Sequence, residues 1–155
     1  LLSCFNLKAA NFSGEYNVGE GQTYTSLSKD DASGFFKAIN EGTVTGNIIV
    51  YITSNLIETG AIPLQAFASP FTITIKPDAP QLRNIAGSNF QTRGIIRFSG
   101  TDRVTIDGSY NNTGKYLSFK NEASGAHFLT LQLESLGPGA GCTDFGIRNC
   151  NFLSG

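Results

Sequence analysis

The chain has 155 residues and a mass of 16.5 kDa, with 11 basic and 12 acidic side chains and a net charge of −1. That size fits one domain, and the near-neutral balance excludes the electrostatic attraction that nucleic acid or an anionic membrane would need. His127 is the only histidine, which excludes paired-histidine catalysis and a His-rich metal site, and no cofactor or metal is expected.

The first ten residues read in three ways. Leu1-Leu2-Ser3-Cys4 matches the lipid-attachment box of an exported bacterial lipoprotein, and Leu7-Lys8-Ala9-Ala10 matches the small-residue end of a cleaved export signal. An ordinary apolar segment is the third reading. Residues 1–13 are therefore taken as a signal-peptide remnant or an extended arm. No apolar run approaches the roughly 20 residues that cross a bilayer as a helix.

Next comes one helix. Ser28-Lys29-Asp30-Asp31 resembles a capping box, Phe35, Phe36 and Ile39 recur at helical spacing, and Gly42 stops the pattern. The expectation is a short N-terminal cap around 28–41. Asp30 and Asp31 fit helix capping better than calcium, because no spaced series of oxygen ligands follows.

Everything afterwards has strand character. Short runs of Ile, Val, Thr, Phe and Tyr, separated by Gly, Asn, Asp and Pro, lie at Ile48–Ile52, Phe71–Ile75, Ile95–Phe98, Val104–Asp107, Tyr116–Phe119, Phe128–Leu133 and Phe145–Arg148. Spacing between their apolar residues decides between a sandwich and a solenoid. Val50 to Ile73 and Ile73 to Ile96 are both 23 residues, and Ile52, Ile75 and Phe98 repeat that interval. Ile96 to Leu129, Phe98 to Leu131, Leu117 to Cys150 and Phe119 to Phe152 are all 33. Val104 to Phe145 and Ile106 to Ile147 are 41, which implies an enlarged loop over residues 134–141 and a shorter turn after it. Recurrence of this kind predicts an all-β parallel β-helix with three strands per coil, occupying residues 14–155.

Four segments carry a family resemblance: Ile95-Ile96-Arg97-Phe98-Ser99-Gly100, Arg103-Val104-Thr105-Ile106-Asp107-Gly108, Asn112-Thr113-Gly114-Lys115-Tyr116-Leu117 and Gly146-Ile147-Arg148-Asn149-Cys150-Asn151. They look like coils of secreted bacterial right-handed parallel β-helix proteins of the pectin-lyase-like class. Gly14-Glu15-Tyr16-Asn17-Val18-Gly19 and the following helix resemble the cap that opens such domains. The resemblance implies export to the cell surface. It does not imply one activity, because lyases, hydrolases, adhesins and structural fibres share the fold.

For chemistry, Asp107 and Arg148 form the best outward-facing pair, stacked on neighbouring coils by the 41-residue interval, with Arg97 projecting from the preceding strand. A carboxylate beside arginines suits an acidic sugar, and this is the enzyme reading: a lyase or hydrolase on acidic glycans. A ladder ion pair with a turn-forming Asp before Gly108 explains the same residues without catalysis and is preferred. His127 reads as a structural histidine at a corner. Cys4, Cys142 and Cys150 match no zinc or redox spacing. Cys142 and Cys150 are either a disulfide of an exported domain or free thiols, with Cys150 at a core position. Asn11-Phe12-Ser13 and Asn111-Asn112-Thr113 match the glycosylation sequon, a short pattern that chance supplies often.

Phe35, Phe36 and Ile39 are expected to close the first coil. At the other terminus Cys150, Phe152 and Leu153 read as a strand in mid-coil with no capping helix, which leaves an open end. The function expected from these residues is a non-enzymatic structural or adhesive module, its partner another copy of itself joined head-to-tail or an extracellular glycan.

Overall fold

Alternation of side chains across a strand means that every second residue must be apolar where one face meets a core. Thr43–Ile52 meets that demand with Val44, Ile48, Val50 and Ile52, all buried, while Thr43, Thr45 and Asn47 face outward. In a computed structural model of the chain, residues 9–68, 70–88, 93–124 and 129–153 are described. The readings placed on Cys4, the first eight residues and His127 lie outside them.

The strands are β1 (Asn11–Val18), β2 (Thr43–Ile52), β3 (Leu56–Ile57), β4 (Leu64–Gln65), β5 (Ile73–Pro77), β6 (Arg83–Gly87), β7 (Ile96–Ser99), β8 (Val104–Asp107), β9 (Leu117–Asn121), β10 (Leu131–Glu134), β11 (Gly146–Arg148) and β12 (Cys150–Leu153); one helix, α1 (Phe35–Glu41), precedes β2. They form three parallel sheets: β1-β2-β5-β8-β11, then β4-β7-β10, then β3-β6-β9-β12. The chain visits the second, first and third sheets in rotation and so winds a β-solenoid of about four turns. Its core is the column of inward residues Val50, Ile75, Ile106 on one side, Leu64, Phe98 on the next and Leu56, Ile85, Phe119 on the third, each at most 1% exposed.

The register corrects part of the spacing argument. Leu117 aligns with Cys150 and Ile106 with Ile147, so the 33- and 41-residue intervals are real coil steps. Val50 aligns with Ile75, not Ile73, and Phe98 aligns with Leu133, not Leu131. A slip of two residues keeps the inward face, so an apolar pattern alone does not detect it. Ile73 pairs with Val104, whereas Ile96 belongs to a different sheet, so the second 23-residue interval joins two unrelated sides. The enlarged loop between β10 and β11 is present, and a single residue, Asn149 with φ 54°, turns the chain from β11 to β12.

The helix takes the place of a second-sheet strand in the first full coil and packs against β4. Phe35, Phe36 and Ile39 are buried, and Phe36 lies 5.7 Å from the Phe98 ring. Phe35 gathers Phe12, Tyr16 and Tyr24 around it at 5.0–6.3 Å, an aromatic plug over the first coil. Two expectations fail here. Gly34, not the Ser28 segment, precedes the first helical turn, and no side chain caps it; Ser28 is drawn inward instead. Residues 11–13, assigned to an arm, begin β1, and Phe12 is buried.

Candidate functional site

The first sheet ends its β8 strand at Asp107, where Gly108 lets the next coil approach closely. A Cβ at Gly108 would collide with the Asn149 carbonyl. The turn is built by the Asp107 side chain: Oδ1 accepts from the Ser109 N–H at 3.0 Å, the Ser109 hydroxyl at 2.8 Å and Asn149 Nδ2 at 3.0 Å. Oδ2 accepts from Arg148 Nε at 2.9 Å. The interval of 41 residues thus does bring Asp107 and Arg148 together. The pair is lopsided, however, with the Asp107 side chain 9% exposed and Arg148 64%. Asp107 lies on the outward side with Arg148, as the strand pattern implied, but its neighbours cover it.

This geometry decides the chemistry open to Asp107. Burial raises its pKa, but the hydrogen bonds from Asn149, Ser109 and Arg148 outweigh burial and hold the carboxyl well below the usual carboxylate range. A group kept ionised so firmly, with donors on both oxygens, is a poor general acid and a weak base. Arg97 does not join it. It lies on β7 in the second sheet, where Nε and Nη2 reach Glu134 Oε1 at 2.8 and 2.7 Å and Nη1 donates to the Gly60 carbonyl at 3.1 Å. The three residues proposed for an acidic-sugar site therefore divide between two faces of the solenoid.

Two features escaped the sequence reading. The first is a polar groove of about 430 Å³ on the outer face of the first sheet, lined by Glu15, Tyr51, Lys76, Asp78, Tyr110 and Asn111 among others. Tyr51 donates to Glu15 Oε1 at 3.2 Å, and Asp78 is held by Arg83 at 2.7 Å. The register Asn17–Tyr51–Lys76 assembles this groove from three coils, so only the correct 25-residue step from β2 to β5 would have exposed it. The second is Glu58, 1% exposed at the end of β3. Its carboxylate accepts from the Ser26 hydroxyl at 2.6 Å, the Ser28 hydroxyl at 2.5 Å and the N–H groups of Leu27 and Ser28 at 2.7 and 2.9 Å. Ser28 Oγ in turn accepts from the N–H groups of Thr59 and Gly60. This network clasps the segment between β1 and α1 onto the body of the solenoid. Burial outweighs these donors and raises the Glu58 pKa.

The two ends of the solenoid differ. On the α1 side, Phe35, Phe36 and Ile39 are buried. On the side of β10, β11 and β12, Leu133 is 52% exposed, Ile147 41% and Phe152 51%, although all three align with core residues of the preceding coil. Phe152 stacks on Phe119 at 5.3 Å, so one face of its ring is used and the other is bare. Leu153 aligns with Lys120 on the outward side and is not part of the core column. Cys150 faces inward but is only half-buried, correcting the expectation of a buried thiol. Burial pushes its pKa up to about 11. Cys142 and Cys150 are both free. Among the described residues no group of three or more His, Cys, Asp or Glu side chains is placed to hold a metal ion, and no helix is long and apolar enough to cross a membrane.

Comparison with protein-family models, with curated proteins and with solved structures finds no match to this chain, so its fold and its own residues carry the functional argument.

Proposed function

We propose that this β-solenoid is a non-enzymatic structural or adhesive module of an exported bacterial surface protein, and that the coil of β10, β11 and β12 stacks against a further β-coil. The observation that carries this reading is the apolar cross-section bared at β10, β11 and β12. Leu133, Ile147 and Phe152 align with core residues of the preceding coil yet are 41–52% exposed, and an apolar face of this kind is covered in a solenoid by a further coil, from the same chain or from another. Export is supported by the resemblance of the coils to secreted β-helix proteins. The bonding of Asp107 and the separation of Arg97 from it weigh against the lyase or hydrolase alternative.

The polar groove favours an extracellular glycan as a further partner. Tyr51 and Tyr110 offer flat apolar faces, while Glu15, Asp78 and Asn111 offer acceptors for sugar hydroxyls.

Sedimentation of the purified chain over a range of concentrations tests the assembly reading, with mass rising with concentration as the expected result. A monomer at every concentration would overturn it. Incubation with acidic polysaccharides tests the enzyme alternative. Chain cleavage that disappears in a folded Asp107→Ala variant would replace the present reading with a catalytic one.

A further inference from the structure

Strand pairing in the first sheet stacks Asn17, Tyr51 and Lys76 on its outward side, because each aligns with the next while Val18 and Ile52 turn inward. Glu15 stands beside them on β1. Beyond β8 the chain turns back on itself. Tyr110 and Thr113 exchange both backbone hydrogen bonds at 3.0 Å, with φ of 49° at Asn111 and 61° at Asn112. This is a two-residue hairpin, whose left-handed central positions asparagine tolerates. It fixes Tyr110 and Asn111 in the lining of the polar groove.

Most charges on this face are already matched. Asp78 accepts from Arg83 at 2.7 Å, and Asp107 accepts from Arg148 at 2.9 Å. Two are not. Lys76 has neither an ion pair nor a hydrogen bond among the described residues. Glu15 has no cationic partner among them, only the Tyr51 hydroxyl at 3.2 Å. Nor do Glu15 and Lys76 pair with each other. Strand β2 runs between β1 and β5, so their backbones lie two strand spacings apart, about 9.6 Å. Tyr51 stands on that middle strand.

An acid and a base held apart across an aromatic ring fit a ligand with the reverse arrangement. A neutral sugar would take water from both charges and give neither a partner. A purely anionic one would satisfy Lys76 but meet Glu15 as a like charge, and a purely cationic one would do the converse.

We infer that the groove binds an amino sugar that also carries an acidic group, its ammonium at Glu15 and its carboxylate or phosphate at Lys76. This rests on the reading of the groove as a glycan site and narrows it from sugars in general to zwitterionic ones. Tyr51 supplies a flat face between the two charges. The Tyr110 hydroxyl and the Asn111 amide make no hydrogen bond among the described residues and are left to serve ring hydroxyls.

Four sugars used as probes separate the contributions. Glucosamine 6-phosphate carries both charges, glucose 6-phosphate only the anion, glucosamine only the cation and glucose neither. Amide chemical shifts of the isotopically labelled chain, titrated with each at mildly acidic pH where the amine is charged, give affinity and location together. Glucosamine 6-phosphate should bind tightest, by about three- to fivefold over either singly charged sugar, the scale of a solvent-accessible ion pair. The shifts should centre on β1, β2, β5 and the hairpin at residues 110–113. Lys76→Gln should erase the advantage given by the phosphate and Glu15→Gln that given by the amine. Lys120→Gln, on β9 of the third sheet, should change neither. Far-UV dichroism checks that each variant keeps its fold, and the comparison of four sugars on the parent chain needs no variant. Glucosamine 6-phosphate binding no tighter than a singly charged or neutral sugar would overturn the zwitterion assignment and leave the groove a glycan site. An advantage that survives both Lys76→Gln and Glu15→Gln would do the same. Shifts centred elsewhere on the molecule, or none with any of the four sugars, would overturn both.

Discussion

Two buried carboxylates give this fold opposite responses to pH. For Glu58, burial prevails over the surrounding donors, so the folded state binds its proton more tightly than the unfolded chain does. Its contribution is complete below the ordinary glutamate range and declines as pH rises from that range toward the raised folded value. For Asp107 hydrogen bonding prevails, so its contribution is present above the ordinary aspartate range and is lost as pH falls toward its depressed folded value. Urea titrations across pH should therefore show Glu58→Gln flattening the loss on the neutral side and Asp107→Asn flattening the loss on the acid side. Glu58→Ala is a harsher change. It takes the acceptor from the Ser26 hydroxyl and the Leu27 N–H in the interior, while Ser28 keeps the Ile95 carbonyl and Ser26 Oγ, and should cost about 3 kcal/mol at neutral pH, measured as a shift in the urea midpoint.

Between elements, side-chain amide and carboxylate oxygens hold one coil to the next. Asn40 Oδ1 accepts from the Gln65 N–H, Asn47 from Thr72, Asn55 from Asn84, and Asp102 from Thr143, all at 2.7–3.0 Å. The corners also explain which elements could be read from the sequence. Strands β2, β5, β7, β8 and β9 announce themselves by three or more β-forming residues in a run. β3 and β4 are only two residues long, and β6 has a single large apolar residue, Ile85, so no periodicity exists to detect. Corner loops of unequal length blur the interval between coils, which is why the 33- and 41-residue steps were legible and the 25-residue step was mistaken for 23. The Ser28 signal misled for a different reason. Its hydroxyl serves a glutamate 30 residues away, a contact that no local pattern encodes. At the Asp107 corner, spacing correctly found the Arg148 contact but did not reveal that Asn149 and Ser109 occupy the same carboxylate. Gly108→Ala should force the Asn149 corner away from β8, costing about 1–3 kcal/mol by the scale of overpacking, with loss of amide protection in β11 and β12 as its signature.

For the molecule as a whole, a solenoid's stability is a sum over neighbouring coils, not a property of one central core. Among the described residues, β5 and β8 have a paired strand on both sides, whereas β10, β11 and β12 are paired on one side only. Amide hydrogen exchange should follow that order. Protection should be greatest in β5 and β8, whose residues Ile73, Ile75, Val104 and Ile106 are at most 1% exposed, and least in β10 to β12. If association covers that coil as proposed, raising the protein concentration should increase protection in β10 to β12 selectively. Uniform protection across all coils would contradict this picture.

The plug of Phe12, Tyr16, Tyr24 and Phe35 has a consequence for how such a chain is made. It is assembled from residues that leave the ribosome before β3 to β12 do, and it needs nothing later than the first coil to close over them. Synthesis then proceeds onto a finished floor: each new coil meets a ready-made set of strand edges and corner acceptors directly beneath it. Long-range pairing, ordinarily slow because distant segments must find one another, becomes here a succession of short searches of 25–41 residues. The plugged coil thus gives the winding a direction, each later coil being laid on the one made before it.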